Sequence, residues 1–129
     1  MNTNICIYTI KNKLQEVREA FTRHYGRMCI SSVTLIELVY GAEKSAVPEK
    51  NLRVVEGFVA RLEVLNYGND AAILTGQIRA ELAKAETPIG PYDSMMAAHA
   101  RSLGLIMVTN NTREFERISG LHLEDWSVS

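Results

Sequence analysis

The sequence predicts an α/β fold with a mainly parallel central sheet flanked by helices. Short apolar runs, typical of buried strands, alternate with longer segments in which apolar residues recur at helical spacing. This alternation is typical of layered α/β domains. A chain of 129 residues with 47% hydrophobic residues has the size and composition of one ordinary domain. We therefore expect residues 1–129 to form a single domain.

The helices are predicted from apolar periodicity and from the residues at their ends. Ser31, Pro48 and Asn69 are typical helix starts, whereas Gly26 and Gly104 are typical ends. The strands are short runs rich in Val, Ile and Leu. The predicted elements are a helix over 3–11, a helix over 14–25, a strand over 28–30, a helix from 32 to about 45, a helix from 48, a strand over 63–67, a helix over 69–85, a helix over 93–102, a strand over 105–109 and a strand over 121–126.

The predicted first helix begins so early that almost no residues remain for a strand before it. A parallel sheet without that strand would expose an apolar groove. We therefore expect the first strand to be truncated, or an apolar segment to be encoded just before Met1.

Composition excludes several classes of function. No apolar stretch approaches the roughly 20 residues needed to span a bilayer. The N-terminus turns polar at once, which argues against a signal peptide. We therefore expect a cytoplasmic protein with no membrane partner. The formal net charge of −1 excludes a polybasic protein that binds nucleic acid by charge alone. Cys6 and Cys29 lack metal-ligand spacing and are predicted to be buried thiols, with a disulfide as the alternative.

Three acidic residues lie next to apolar sequence. Glu37 lies inside the run 33–40, Asp93 opens the run 93–100, and Glu114 follows the last long apolar run after a polar turn. A helix as apolar as that of Glu37 is predicted to be buried on all sides, where a carboxylate needs a partner. In parallel sheets, functional crevices lie beyond the carboxyl ends of the strands. We therefore expect these acids to share one pocket.

Each acid also has an ordinary structural explanation. Asp93 is a candidate helix N-cap, Glu114 a candidate surface residue, and Glu37 a candidate for a capping box or a salt bridge. If the acids do cluster, a divalent cation between them would relieve their repulsion. Oxygen ligands without nearby His or Cys suit Mg²⁺ or Mn²⁺. Such an ion activates water and stabilises charge on a phosphate, which is the chemistry of phosphodiester hydrolysis.

Four short motifs, in order, cover nearly the whole chain. They are Asn2-Thr3-Asn4, the segment 30–41 with Glu37 before Gly41, the segment 91–97 with Asp93, and the segment 108–115 with Glu114 before Phe115. In this order and spacing they resemble the motifs of PIN domains, and specifically of the VapC toxins of bacterial toxin–antitoxin pairs. The resemblance implies a Mg²⁺-dependent endoribonuclease that cleaves structured RNA. Initiator tRNA, cut in its anticodon stem-loop, is the first expectation.

The resemblance also implies partners and residue roles. Family members form homodimers and are held inactive by a VapB-type antitoxin, whose C-terminal segment covers the acidic pocket. By this resemblance, Asn2 and Asp93 would hold the metal, and Glu37 and Glu114 would complete the catalytic pocket. Asn4 and Thr109 would support the ligands through hydrogen bonds. Arg113 and Arg117 would contact RNA phosphates. For the two arginines, a solvated surface is the alternative.

Asn2 departs from the family pattern, which has Asp at this position. Loss of one unit charge about 4 Å from the metal costs on the order of 4 kcal/mol, or roughly a thousandfold in rate. We therefore expect a weak or inactive nuclease. The alternative function is a catalytically inactive binding module that retains only antitoxin or RNA binding. A receiver-like signalling domain is disfavoured, because it needs a Lys after a late strand and no Lys follows Lys84.

Overall fold

The computed structural model describes residues 5–7, 28–109 and 112–125. Its strands form one sheet in the order β3-β2-β1-β4-β5, and every pairing is parallel. This confirms the predicted α/β class with a mainly parallel sheet. The elements are β1 (Ile5–Ile7), β2 (Met28–Ser31), α1 (Ser32–Glu43), α2 (Pro48–Val59), β3 (Glu63–Leu65), α3 (Asn69–Lys84), α4 (Pro91–Ser102), β4 (Ile106–Val108), α5 (Thr112–Phe115) and β5 (His122–Glu124).

The first strand corrects the prediction at the N-terminus. Residues 5–7, predicted to lie within a helix over 3–11, form the central strand of the sheet. Ile5 is in register with Met28 on one side and with Ile106 on the other. The facing edges of β2 and β4 each need a hydrogen-bonding partner, and an apolar tripeptide suits a strand with neighbours on both sides.

The short first strand also bears on the expected N-terminal motif. The resemblance to PIN domains implies a strand before the first motif, whereas β1 follows Asn2-Thr3-Asn4 in this chain. Asn2 and Asn4 lie outside the described residues, as does the predicted helix over 14–25.

The other elements lie close to their predicted bounds. Ser31 caps α1, because its hydroxyl oxygen accepts the Val33 N–H at 3.0 Å. Strands β3, β4 and β5 are each three residues long and lie inside the predicted runs. Helix α4 begins at Pro91, two residues earlier than predicted, because proline is well suited to a first helical turn. Asp93 is therefore inside the first turn of α4.

Apolar side chains pack on both faces of the sheet. Cys29 and Met107 belong to the larger cluster, with α3 and α4. Met28, Ile30 and Val108 belong to the second cluster, with residues of α1 and α2. This alternation follows the two-residue period of a strand. Cys29 is a buried thiol, as predicted. For Cys6 the structure describes the backbone strand and not the side chain.

Helix α1 is less buried than its apolar sequence predicts. Ile36 is 52% exposed and Tyr40 is 63% exposed, and Glu37 between them is half-buried. The prediction that this helix is buried on all sides is therefore wrong. Val47 and Val54, beside and within α2, are also more than half exposed. The part of the chain that the structure describes contains no helix capable of crossing a bilayer.

Candidate active site

Helices α1 and α4 meet through two buried polar pairs. Ser31 Oγ, at the cap of α1, lies 2.8 Å from His99 Nδ1, and Thr34 Oγ1 donates to Met96 Sδ at 3.1 Å. Thr34 comes three residues after Ser31 in the chain, whereas its partner Met96 comes three residues before His99. The two helices therefore run in opposite directions along this contact.

The next step of the same series reaches two of the predicted acids. Glu37 comes three residues after Thr34, and Asp93 comes three residues before Met96. Residues three apart lie on the same face of a helix. We therefore infer that Glu37 and Asp93 are neighbours across the α1–α4 contact. Both are half-buried, so water or a ligand can reach them.

The position of Asp93 in α4 excludes one alternative explanation for it. Gly90 is the N-cap of this helix, and Asp93 is the third residue after it. The Asp93 carboxylate lies close to the helix start, since a Cβ added at Gly90 would be 3.5 Å from its Oδ2. A negative charge is favourable in a first helical turn, which helps to hold the carboxylate there. Asp93 is therefore not the N-cap, and its side chain lies at the exposed start of α4.

Glu114 and Thr109 lie beyond the carboxyl end of β4. Thr109 is fully buried, and its backbone N–H donates to the Glu124 carbonyl at 3.0 Å. Glu114 is half-buried in α5, next to the fully buried Phe115. Both residues are thus at the edge of the sheet where a crevice was expected.

The described acids fit a magnesium or manganese ion better than zinc. Within residues 28–109 and 112–125, His, Cys, Asp and Glu side chains form no group of three that could hold a metal. Mg²⁺ keeps several waters and needs only one or two carboxylates from the protein. Of the two predicted metal ligands, Asp93 offers one such carboxylate, and Asn2 lies outside the described residues.

The two predicted RNA-contacting arginines are both exposed. Arg117 Nη1 donates to the Pro88 carbonyl at 3.2 Å. Pro88 is two residues before Gly90, so this guanidinium lies beside the loop that leads to Asp93. Arg113 is on the short helix α5 that carries Glu114.

His99 is a core residue whose partners no sequence pattern indicates. It is 4% exposed, and its ring meets the Tyr67 ring edge-on with centroids 5.6 Å apart. Burial lowers the pKa of His99, and a hydrogen bond with the Asn66 backbone opposes this shift. The ring is therefore neutral at neutral pH. The tautomer with its proton directed to the Asn66 backbone leaves Nδ1 as the acceptor for the Ser31 hydroxyl.

Acidification is expected to destabilise the protein through His99. Its pKa in the unfolded chain is the ordinary 6.5, and its pKa in the folded protein is lower. The unfolded chain therefore binds more protons as the pH falls below 6.5, and stability is lost until the folded pKa is passed. Urea unfolding between pH 8 and pH 5 measures this loss. This loss of stability should be smaller in His99→Asn. It should be unchanged in His122→Gln, which replaces an exposed histidine. Equal losses in both variants would contradict the assignment to His99.

Comparison with known proteins identifies the family. The PIN domain family model matches residues 2–121. The chain belongs to the PIN domain family. This PIN domain is 66% identical over 127 residues to the tRNA(fMet)-specific endonuclease VapC of Shigella flexneri, covering 98% of this chain and 96% of the relative. It is 50% identical over 126 residues to Ribonuclease VapC2 of Haemophilus influenzae, with the same coverage.

Solved structures agree with this identification. The crystal structure of DNA-bound VapBC from Salmonella typhimurium matches with a TM-score of 0.89 and 59% identity, covering 95% of this chain and 98% of that chain. VapBC2 from Rickettsia felis, bound to a DNA fragment from its promoter, matches with a TM-score of 0.87 and 30% identity over the same shares. The predicted resemblance of this PIN domain to the VapC family is therefore confirmed.

Proposed function

We propose that this PIN domain is the toxin of a type II toxin–antitoxin pair and acts as an endoribonuclease on initiator tRNA. The observation that carries the proposal is the series of contacts Ser31–His99 and Thr34–Met96. Extended by one step, this series would place Glu37 beside Asp93. A relative 66% identical to this chain is a tRNA(fMet)-specific endonuclease, which supports the choice of substrate.

We infer that the site uses a divalent cation, Mg²⁺ or alternatively Mn²⁺, held by Asp93 and by the side chain at position 2. When bound, such an ion activates water and balances charge on the phosphate. Glu37 and Glu114 accept hydrogen bonds from the attacking water and orient it, and either carboxylate can take its proton. Asn4 and Thr109 support the ligands.

We assign contact with the RNA backbone to Arg113 and Arg117. Both guanidinium groups are exposed, and Arg117 lies beside the loop that leads to Asp93. Arginine suits this role because its planar donors match phosphate oxygens. Local positive charge is needed here, because the chain as a whole carries a net charge of −1.

Incubation with purified tRNA tests the proposed activity. Initiator tRNA should be cut in the anticodon stem-loop in the presence of Mg²⁺, slowly by this chain and faster by its Asn2→Asp variant, and EDTA should prevent the cut. Elongator methionine tRNA, which carries the same anticodon, is the matched control and should remain intact. Mapping the new ends locates the cut. Equal cutting of both tRNAs would contradict the proposed specificity, and cutting in EDTA would contradict the cation requirement.

We propose that a VapB-type antitoxin binds the α1–α2 apolar surface, defined here by Ile36, Tyr40, Val47 and Val54. These side chains are between 51% and 63% exposed, although all are large and apolar. Exposed apolar patches of this kind mark interaction sites. A segment bound over Ile36 would also cover the neighbouring Glu37, which accounts for inhibition. The Lys44 ammonium, 4.9 Å from the Tyr40 ring centroid, adds positive charge that suits an acidic segment.

Ile36→Asp is expected to weaken antitoxin binding at least about tenfold, because the new carboxylate must be desolvated in an apolar contact. The variant should melt within a few degrees of the parent protein, because Ile36 is exposed. Calorimetry with the cognate antitoxin measures the change. Ile73→Asp, at a 63% exposed apolar residue of α3, is the matched control and should bind normally. Equal weakening in both variants would contradict the proposed surface.

We further propose that residues 1–129 act as one domain in the cytoplasm, and that two copies form a homodimer. The 53% exposed Leu103 is a candidate for the contact between copies. Analytical ultracentrifugation of Leu103→Asp tests this, since the variant should become monomeric. The alternative function, a binding module without catalysis, is favoured by Asn2, because an amide carries no charge for a cation.

A further inference from the structure

We propose that the buried Ser31–His99 pair is a positioning device that sets the register of α1 against α4, and thereby places Glu37 beside Asp93. This inference rests on the proposed function, because it assigns a role to residues that support the Glu37–Asp93 pair. His99 is six residues from Asp93, or about 9 Å along the helix axis. His99 therefore acts through the two helices and not on the substrate.

The polar atoms of Ser31 and His99 each have a hydrogen-bond partner in a defined direction. Ser31 Oγ is buried, accepts the Val33 N–H at 3.0 Å and donates to His99 Nδ1. The other ring nitrogen is engaged by the Asn66 backbone. Among the described residues, no buried side-chain nitrogen or oxygen lacks a partner. A shift of α1 along α4 would leave several buried polar groups unsatisfied at once, which is strongly unfavourable.

The second pair in the series is less suited to fixing the register. Sulfur is a weak acceptor, and a methionine side chain is flexible, so the Thr34–Met96 contact can adapt to a shift. A short serine side chain and a planar imidazole cannot adapt in this way. A slip of one residue turns a helix face by about 100° and moves it by about 1.5 Å. Glu37 would then point away from Asp93.

A double-mutant cycle between Glu37 and Asp93 tests the register without relying on activity or metal. Glu37→Gln, Asp93→Asn and their combination are compared by the midpoint of urea unfolding, at low salt and in EDTA. Neighbouring carboxylates repel each other, so that removing either one relieves the same repulsion. The shifts of the two single variants should therefore not add in the double variant.

The Glu37–Asp93 double-mutant cycle is then repeated in proteins that carry a substitution at Ser31 or His99. In His99→Leu the two shifts should become additive, because the Ser31–His99 bond is lost. In His99→Asn the coupling should be largely restored, because the amide oxygen can accept the Ser31 hydroxyl. Ser31→Ala gives the same test as His99→Leu if the latter does not fold. Tyr67→Phe is the matched control: it removes the nearby 2.7 Å bond to Thr75, and the coupling should remain.

The possible outcomes distinguish the positioning role of Ser31 and His99 from the proposed Glu37–Asp93 site. Coupling that survives in both His99→Leu and Ser31→Ala would overturn the positioning role and leave the Glu37–Asp93 site intact. Coupling lost equally in Tyr67→Phe would show that any nearby destabilisation is sufficient, which would also overturn the positioning role. Additive shifts in the unaltered protein would overturn both proposals, since the two acids would not be neighbours.

Discussion

Replacing Asn2 with Asp is expected to raise Mg²⁺-dependent cleavage of initiator tRNA by roughly a thousandfold. The new carboxylate would add one negative charge close to the proposed cation, where an amide supplies only an uncharged oxygen. The measurement is the single-turnover rate of cleavage at saturating protein, with Mg²⁺ varied. Calorimetric titration with Mn²⁺ should show tighter binding in the same variant.

Asn69→Asp is the matched control for this gain, because it adds the same charge at an exposed residue that begins α3, outside the α1–α4 contact. It should leave cleavage close to that of the unaltered protein. Equal rates for Asn2→Asp and the unaltered protein would show that position 2 does not contribute to the pocket. That result would agree with the placement of β1 after this motif, and it would favour the binding module without catalysis.

Neutralising Asp93 or Glu37 in the Asn2→Asp background is expected to reduce kcat/KM by roughly a thousandfold. Asp93→Asn and Glu37→Gln each preserve the size of the side chain and remove its charge. Their combination should cost little more than either change alone, because residues that act as a unit are not additive. The tRNA cleavage assay gives the rates, and circular dichroism confirms that the variants are folded.

Asp70→Asn is the matched control for this loss. Asp70 also lies in the first turn of a long helix, α3, but it is exposed and outside the α1–α4 contact. Its neutralisation should leave cleavage within about twofold of the background. An Asp93→Asn variant with nearly full activity would contradict the assignment of Asp93 to the metal.

Most of the fold follows from local sequence, because the strands and helices carry their own signals. Ser31 is a typical N-cap and Pro48 a typical first helical residue, and both hold these positions. The strand over residues 5–7 was missed for a physical reason. Three apolar residues fit a helix or a strand equally well. The choice depends on hydrogen bonds to β2 and β4, which come from distant parts of the chain.

The candidate site was only partly predictable from sequence. Glu37, Asp93 and Glu114 were predicted as site residues because each acid lies next to apolar residues. The placement of Glu37 relative to Asp93 depends on tertiary contacts, namely the Ser31–His99 and Thr34–Met96 pairs, which no local pattern encodes. The burial of α1 was overestimated for a related reason. Apolar periodicity shows that a face prefers to be covered, but not whether the same chain covers it.

The central position of β1 has a consequence for synthesis of the protein. Its neighbours in the sheet are β2, which follows within the first quarter of the chain, and β4, which begins only at Ile106. Pairings between such distant segments form slowly and late. The centre of the sheet cannot form until β4 has left the ribosome, and the sheet is complete only once β5 has followed. Strand β1 therefore has its partner β2 long before it has its partner β4.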